Sequence, residues 1–409
     1  MTADYNAPTV DRGDSAPIDI YDVPSELVSI CAECAKHPEL NALVTGDLTV
    51  GACGACGSTT KQVFNPKRFR EARDLIRALI RLHIDEEFYN PHWGGSDVDT
   101  VLLGEENPIL NHGGPDTLND ELIHRIVWDN DDGTEGPGIS LHAGHDDHYG
   151  RGLLFAIRNT ADAQLDEIIR RLKTENFHAL EGAMGDLIDA VSGEIEDVVE
   201  PDRSWFRSRI GVAEEAVHIG DHRVHRIAVP YKGEALGALA PAKANANRMN
   251  RQGVSVLYVA SEIDTALAEI RPHPAQLLSI GGFKPSHQLR VANFDVPIAG
   301  FAANDERLAT FAAIYHIDTL LSTPIVPEER HRYAVTQLLT DILIRRGFEG
   351  VTYRSSVGQG KNLCAFNPAD FVYDDSTAAV RQVTKLTYEF ADIAMAIQET
   401  RRSYIATEH

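Results

Sequence analysis

Four of the five cysteines stand in two Cys-x-x-Cys pairs, Cys31/Cys34 and Cys53/Cys56, with eighteen residues between them. Gly51, Gly54 and Gly57 let the second pair turn tightly around an ion. Four thiolates at this spacing close a tetrahedral zinc site with Zn–S bonds of about 2.3 Å. With all four positions filled by sulfur, such a metal is structural rather than catalytic, and the nearby His37 is surplus. A second chemical candidate is a single carboxylate. In "GVSVLYVASEIDTALAEIRPH", residues 253–273, Val254, Val256, Tyr258 and Val259 read as a strand. Ser261 is placed to cap a following helix, with Glu262 and Asp264 in its first turn and Pro272 ending it. Glu269 stands at the edge of the apolar stripe of Ile263, Ala266, Leu267 and Ile270, where a carboxylate can face a cleft instead of the core. Two further features accompany it. Arg207 lies in the strand-like "SWFRSRIG", and "GVTYRSSVGQGKNLCAFNP" joins two strands through Ser355, Ser356, Gly358, Gly360, Lys361 and Asn362. Small residues allow close approach of backbone to a ligand, and Ser and Asn supply hydrogen bonds. Taken singly, each has an ordinary structural reading: a salt-bridged surface arginine, a hairpin loop, a solvated helix glutamate.

The elements that must position these residues follow from composition and periodicity. A chain of 409 residues suggests two or three domains. Residues 1–24 read as a flexible acidic tail and 25–62 as a zinc ribbon. Residues 63–197 read as a mostly helical region, with a helix over 65–89 and another over 118–129. Residues 198–375 read as an α+β domain and 376–409 as a C-terminal helix. Lys plus Arg number 38 against 61 Asp plus Glu, a net charge of -23 that disfavours nucleic acid and anionic membrane as partners. The N-terminal stretch lacks the basic start and apolar run of a signal peptide, and no segment has the apolar length of a membrane span, so a cytoplasmic protein is expected. His142, His145 and His148, with Asp146 and Asp147, offer metal-ligand types in a loop whose default reading is solvated surface. There is no Walker A loop, no GxGxxG after a strand and no GxSxG.

In their order along the chain, these residues resemble the RES-domain family, named for an Arg, a Glu and a Ser. The resemblance rests on Arg207 in "WFRSR", Arg248, Asn250 and Gly253 before a strand, and Tyr258 within it. Glu269 in "ALAEIRP", Thr336 and Gln337, Ser355 and Asn362 complete it, over about residues 204–368. Arg251 and Arg354 replace prolines common in the family, which leaves both Ser355 and Ser356 open as the family serine. The resemblance implies an ADP-ribosyltransferase-like split β-sheet with helices and an enzyme that destroys NAD, a toxin or defence effector. It implies Glu269 beside the electron-poor ribose carbon and Arg207 on the pyrophosphate. Tyr258 would stack on an NAD ring, Arg248 would add positive charge, and Ser355, Ser356 and Asn362 would hold ribose or phosphate. Water as acceptor makes a glycohydrolase, phosphate an NAD phosphorylase, and a macromolecule a transferase. A protein antitoxin or inhibitor is the implied partner, and self-association stays open. Two other readings compete: a zinc-ribbon binding module with an inactive RES-like domain, and a HEPN-like helical region with Arg77 and His83 in that family's loose R-x5-H ribonuclease pattern.

Overall fold

The structure is a computed structural model that describes residues 28–83, 162–219, 223–325 and 327–387, with a few positions between 102 and 160. The expected acidic tail and the histidine loop around His142, His145 and His148 lie outside the described residues. The chain divides into two compact units, Met1–Thr160 with Pro297–Ala313, and Ala161–Val296 with Ile314–His409.

In the first unit, α1 (Pro38–Gly46) begins at a proline, behind His37, whose Nδ1 accepts from the Glu39 amide. It leads into the antiparallel hairpin β1 (Leu48–Gly51) and β2 (Lys61–Phe64). The Asn65 side chain accepts from Lys67 N and starts a short 3-10 turn, Pro66–Arg68. Helix α2 (Phe69–His83) continues from it, and its expected extension to residue 89 lies outside the described residues. Leu75, Ile76, Leu79 and Ile80 are fully buried, as are Ile30, Leu40 and Phe64. Arg77 is buried as well, and six residues along a helix place His83 about 120° around the axis from it, so the pair does not share a face. Burial, reinforced by Arg158 and His37, pulls the His83 imidazole down to about 4.

The second unit is built on an eight-stranded sheet. Its strands are β3 (Glu196–Val199), β4 (Trp205–Ile210), β7 (Leu257–Ala260), β8 (Leu277–Pro285), β9 (Leu289–Asn293), β10 (Gly350–Arg354), β11 (Lys361–Ala365) and β12 (Phe371–Gln382). The order is β12-β8-β4-β7-β11-β10-β9-β3, antiparallel except for the β9–β10 pair. A separate hairpin, β5 (Ala213–Ile219) and β6 (Arg223–Val229), branches from it. Trp205, Leu257, Val259, Phe283, Val291 and Leu363 form the core. No helix among the described residues is long and apolar enough to cross a membrane.

Two boundaries differ from the sequence reading. The helices α3 (Ala163–Arg171) and α4 (Glu181–Ile195), expected in a helical region ending at 197, belong to the second unit. The reason is local: α4 runs directly into the edge strand β3. Its salt bridges Glu181–Arg345 and Asp189–Arg346 tie it to the end of the helix Tyr333–Arg345. Residues 376–382, expected in a C-terminal helix, are strand. After a bulge between Asp374 and Ala379, β12 resumes pairing with β8, Ala379 to Ile280 through Gln382 to Leu277, which satisfies both backbones along that edge. Residues 388–409 lie outside the described residues.

Candidate active site

The helix α5 (Ile263–Glu269) follows β7 and ends on the candidate carboxylate. Thr265 and Ala266 are buried against the sheet, while Glu269 is exposed at the last helical position. The helix begins at Ile263 with Glu262 as an N-cap that makes no capping bond, so Ser261 does not cap it. Instead the Ser261 hydroxyl accepts from Lys361 N at 2.9 Å, and Thr265 Oγ1 accepts from Gly360 N at 3.0 Å. Both clamp the Ser-Gly loop that joins β10 to β11 onto α5. The clamp needs glycine: a Cβ on Gly358 would lie 2.6 Å from Thr265 Oγ1 and 2.9 Å from its Cα.

The loop delivers two donors to one atom. Ser355 Oγ donates to Glu269 Oε1 at 2.7 Å, and the buried Asn362 donates to the same oxygen through Nδ2 at 2.6 Å. Ser355 Oγ also accepts from Val357 N and Gly358 N, which fixes its rotamer. Glu269 Oε2 makes no hydrogen bond among the described residues and is left for a ligand. Ser355 is therefore the serine that reaches the carboxylate; Ser356 is exposed and makes no such bond among the described residues, and neither serine lines the cavity described below. Arg354, which stands where the family has proline, pairs with the buried Asp318 and lies over the Tyr315 ring at 5.6 Å. Burial pushes the Asp318 carboxyl up, against the pull of Arg354. Lys361 pairs with Asp295 at 2.9 Å. The residues immediately before Ser355 and Asn362 are thus both anchored by acids.

Glu269 and Arg207 line one cavity of about 410 Å³, within the roughly 300–1,000 Å³ range of small-molecule sites. Arg207 donates through Nε to Leu236 O at 2.9 Å and through Nη1 to Tyr258 O at 2.7 Å. Two of its five N–H donors hold backbone carbonyls, and Nη2 makes no hydrogen bond among the described residues. Burial lowers Arg207 from the ordinary arginine value, yet a guanidinium stays charged in proteins. Tyr258 lines the same cavity; its hydroxyl donates to Asn250 Oδ1 and accepts from Met249 N. Burial pushes this phenol well above its ordinary value. The Asn250 amide in turn donates to the carbonyls of Asn245, Arg251 and Val254, and Gly253 takes the left-handed φ of 82° that this loop requires. Thr336 donates to the Arg248 carbonyl and Gln337 to those of Asn247 and Asn250. The Arg-x-Asn-x-x-Gly and Thr-Gln motifs are two halves of one loop brace. The brace presents Arg248, whose Nη2 donates to Thr323 O at 2.8 Å and whose buried Nη1 has no partner among the described residues.

Sequence reasoning missed two lining arginines. Arg271 follows α5 in a left-handed conformation, φ 47°, uncommon outside glycine, and Arg330 sits in the 3-10 segment Pro327–Arg332. In the sequence Arg330 stands in the mixed-charge run "EERHR", which gives no signal of a site. Four arginines, Arg207, Arg248, Arg271 and Arg330, thus line the cavity that holds one carboxylate, a cationic pocket in an acidic chain.

Residues 218–390 match the family model of the RES domain. This segment is a RES domain. Its fold is ADP-ribosyltransferase-like, and toxins that carry such a domain are NAD-degrading enzymes. The match begins after β4, so Arg207 precedes the matched segment while sharing its cavity. Among solved structures, the M. tuberculosis MbcT–MbcA toxin–antitoxin complex is similar at 14% identity, over 48% of this chain and 92% of that one, with a TM-score of 0.27. No curated protein matches.

Outside the RES domain, the ligand atoms of Cys31, Cys34, Cys53 and Cys56 lie within 4.8 Å of one another. Tetrahedral zinc with 2.3 Å bonds needs sulfurs about 3.8 Å apart, a separation that lies inside this bound. Cys31 N donates to Cys53 Sγ at 3.3 Å, and a hydrogen bond from Cys34 holds the Cys53 thiol low, which favours thiolate there. The donor set fits zinc.

Proposed function

We propose that the RES domain cleaves the bond between nicotinamide and ribose in NAD. The observation that carries this reading is Glu269, pinned through Oε1 by Ser355 and Asn362, with Oε2 open, in a cavity whose other charged groups are all arginines. Nicotinamide departs neutral from a cationic ring and takes the bonding pair on its nitrogen. The positive charge that develops at C1′ and the ring oxygen is stabilised by a carboxylate already fixed beside it. Oε2 is free to accept a ribose hydroxyl or to face C1′ itself. The arginines favour the pyrophosphate, and the unpartnered Arg248 Nη1 gains its missing acceptor when that anion binds. An oxygen of water or phosphate then bonds C1′ and loses its proton to solvent or to Glu269. No step requires a metal, and the zinc proposed at the cysteines holds the first unit together. A cytoplasmic NAD consumer needs restraint, and an antitoxin protein over the cavity mouth belongs to the same proposal.

The test is incubation of purified protein with NAD and mass-spectrometric identification of products. Nicotinamide with ADP-ribose indicates water as acceptor, and ADP-ribose 1-phosphate indicates phosphate. No nicotinamide under either condition refutes the reading.

A further inference from the structure

A second cavity, of about 280 Å³, adjoins the one that holds Glu269. The two are distinct but share Arg207, Asn247, Tyr258 and Arg330 as lining. Beyond that shared wall the chemistry changes. Leu239 and Val254, 38% and 42% exposed, and Val256 give the smaller cavity apolar sides. The side-chain amides of Asn245 and Asn247 lie exposed and make no hydrogen bond among the described residues. Their backbone is held from behind by Asn250 and Gln337, so the wall is preformed. On the shared wall Arg330 is exposed and has no ion-pair partner among the described residues, and Arg207 keeps Nη2 free.

We infer that the smaller cavity is the site of the second nucleoside of the dinucleotide, with Arg330 and Arg207 holding the pyrophosphate between the two cavities. This inference rests on the NAD reading. The order across the surface, carboxylate cavity, the two arginines lining both cavities, apolar slot edged with amides, repeats the order along the substrate: reacting nucleoside, pyrophosphate, purine nucleoside. A purine presents two flat apolar faces and an edge of donors and acceptors, which is what exposed aliphatic side chains flanked by free amides accommodate. Guanidinium forks match phosphate oxygens in geometry and charge. The smaller cavity lies just below the usual ~300 Å³ lower bound for such sites, a size for one half of the ligand and not for the whole. Contacts to a remote, unreacting part of a substrate are realised as rate at the reacting bond, so the second cavity sets the preference for a dinucleotide over its nicotinamide half.

The experiment compares kcat/KM for NAD with that for nicotinamide mononucleotide, which keeps the scissile bond and one phosphate but lacks the adenylate. The wild type is expected to prefer NAD by 100-fold or more. Ala246→Trp, at an exposed position lining the smaller cavity alone, fills it, and Arg330→Gln removes one of the two shared cations. Each should reduce the NAD preference at least tenfold, with melting temperature checked in parallel. Adenosine monophosphate should compete with NAD in the wild type and bind at least tenfold more weakly to Ala246→Trp. Release of nicotinamide with an unchanged preference in both variants, or equal use of the two substrates by the wild type, overturns this inference alone. No release from either substrate overturns the NAD reading together with it.

Discussion

Ser355 and Asn362 are predicted to act on catalysis through Glu269 and not through the substrate. Both donate to Glu269 Oε1, at 2.7 and 2.6 Å. A hydrogen bond to a charged group contributes about 1.5–3 kcal/mol, and each 1.36 kcal/mol is tenfold in rate, so loss of one donor costs roughly 10- to 150-fold in kcat. Glu269 is exposed and keeps its second donor, which places Ser355→Ala near tenfold. Asn362 is buried, 7% exposed, so Asn362→Ala also leaves a small cavity and should cost more. The deciding measurement is a double-mutant cycle. In a Glu269→Ala background no acceptor remains, and adding Ser355→Ala should change residual turnover by less than about twofold, the scatter of independent effects. The assay is nicotinamide release quantified by mass spectrometry, sensitive enough for the slow background variant. If Ser355→Ala costs as much without Glu269 as with it, the serine contacts ribose or phosphate directly and the positioning argument is refuted.

Three further outcomes are expected. Gly358→Ala drives a Cβ against Thr265 and displaces the loop that carries Ser355; a stability loss of about 1–3 kcal/mol by urea unfolding, together with reduced turnover, is expected. Purified protein should contain one zinc per chain by elemental analysis, and Cys53→Ser or prolonged chelation should remove it and lower the melting temperature of the first unit while the helical signal of the second persists. Glu181 is held down to about 2 by Arg345 and then His178, so its folded-state value lies below its ordinary one. Its stabilising contribution is therefore present above pH 4.5 and lost as pH falls through about 2. Urea unfolding of Glu181→Gln should differ from wild type above pH 4.5 and converge with it near pH 2.

Much of this protein was legible in its residues. The Cys-x-x-Cys pairs, Glu269 at the edge of an apolar stripe, and Arg207 on its strand are local patterns, because spacing along a helix, strand or turn fixes which side chains share a face. That the motif residues belong together also followed from their order, which matched a family. The tertiary structure alone decided how they meet. The convergence of Ser355 and Asn362 on one oxygen of Glu269 requires a hairpin to fold over α5, a contact between residues more than eighty positions apart. The same holds for the Arg354–Asp318 pair, the brace from Thr336 and Gln337 to the Arg248 loop, and the extra arginines 271 and 330 on the cavity wall. The run of β12 past residue 376 and the joining of α4 to the sheet likewise depended on partners distant in sequence, since an edge strand is defined by the backbone it pairs with and not by its own side chains.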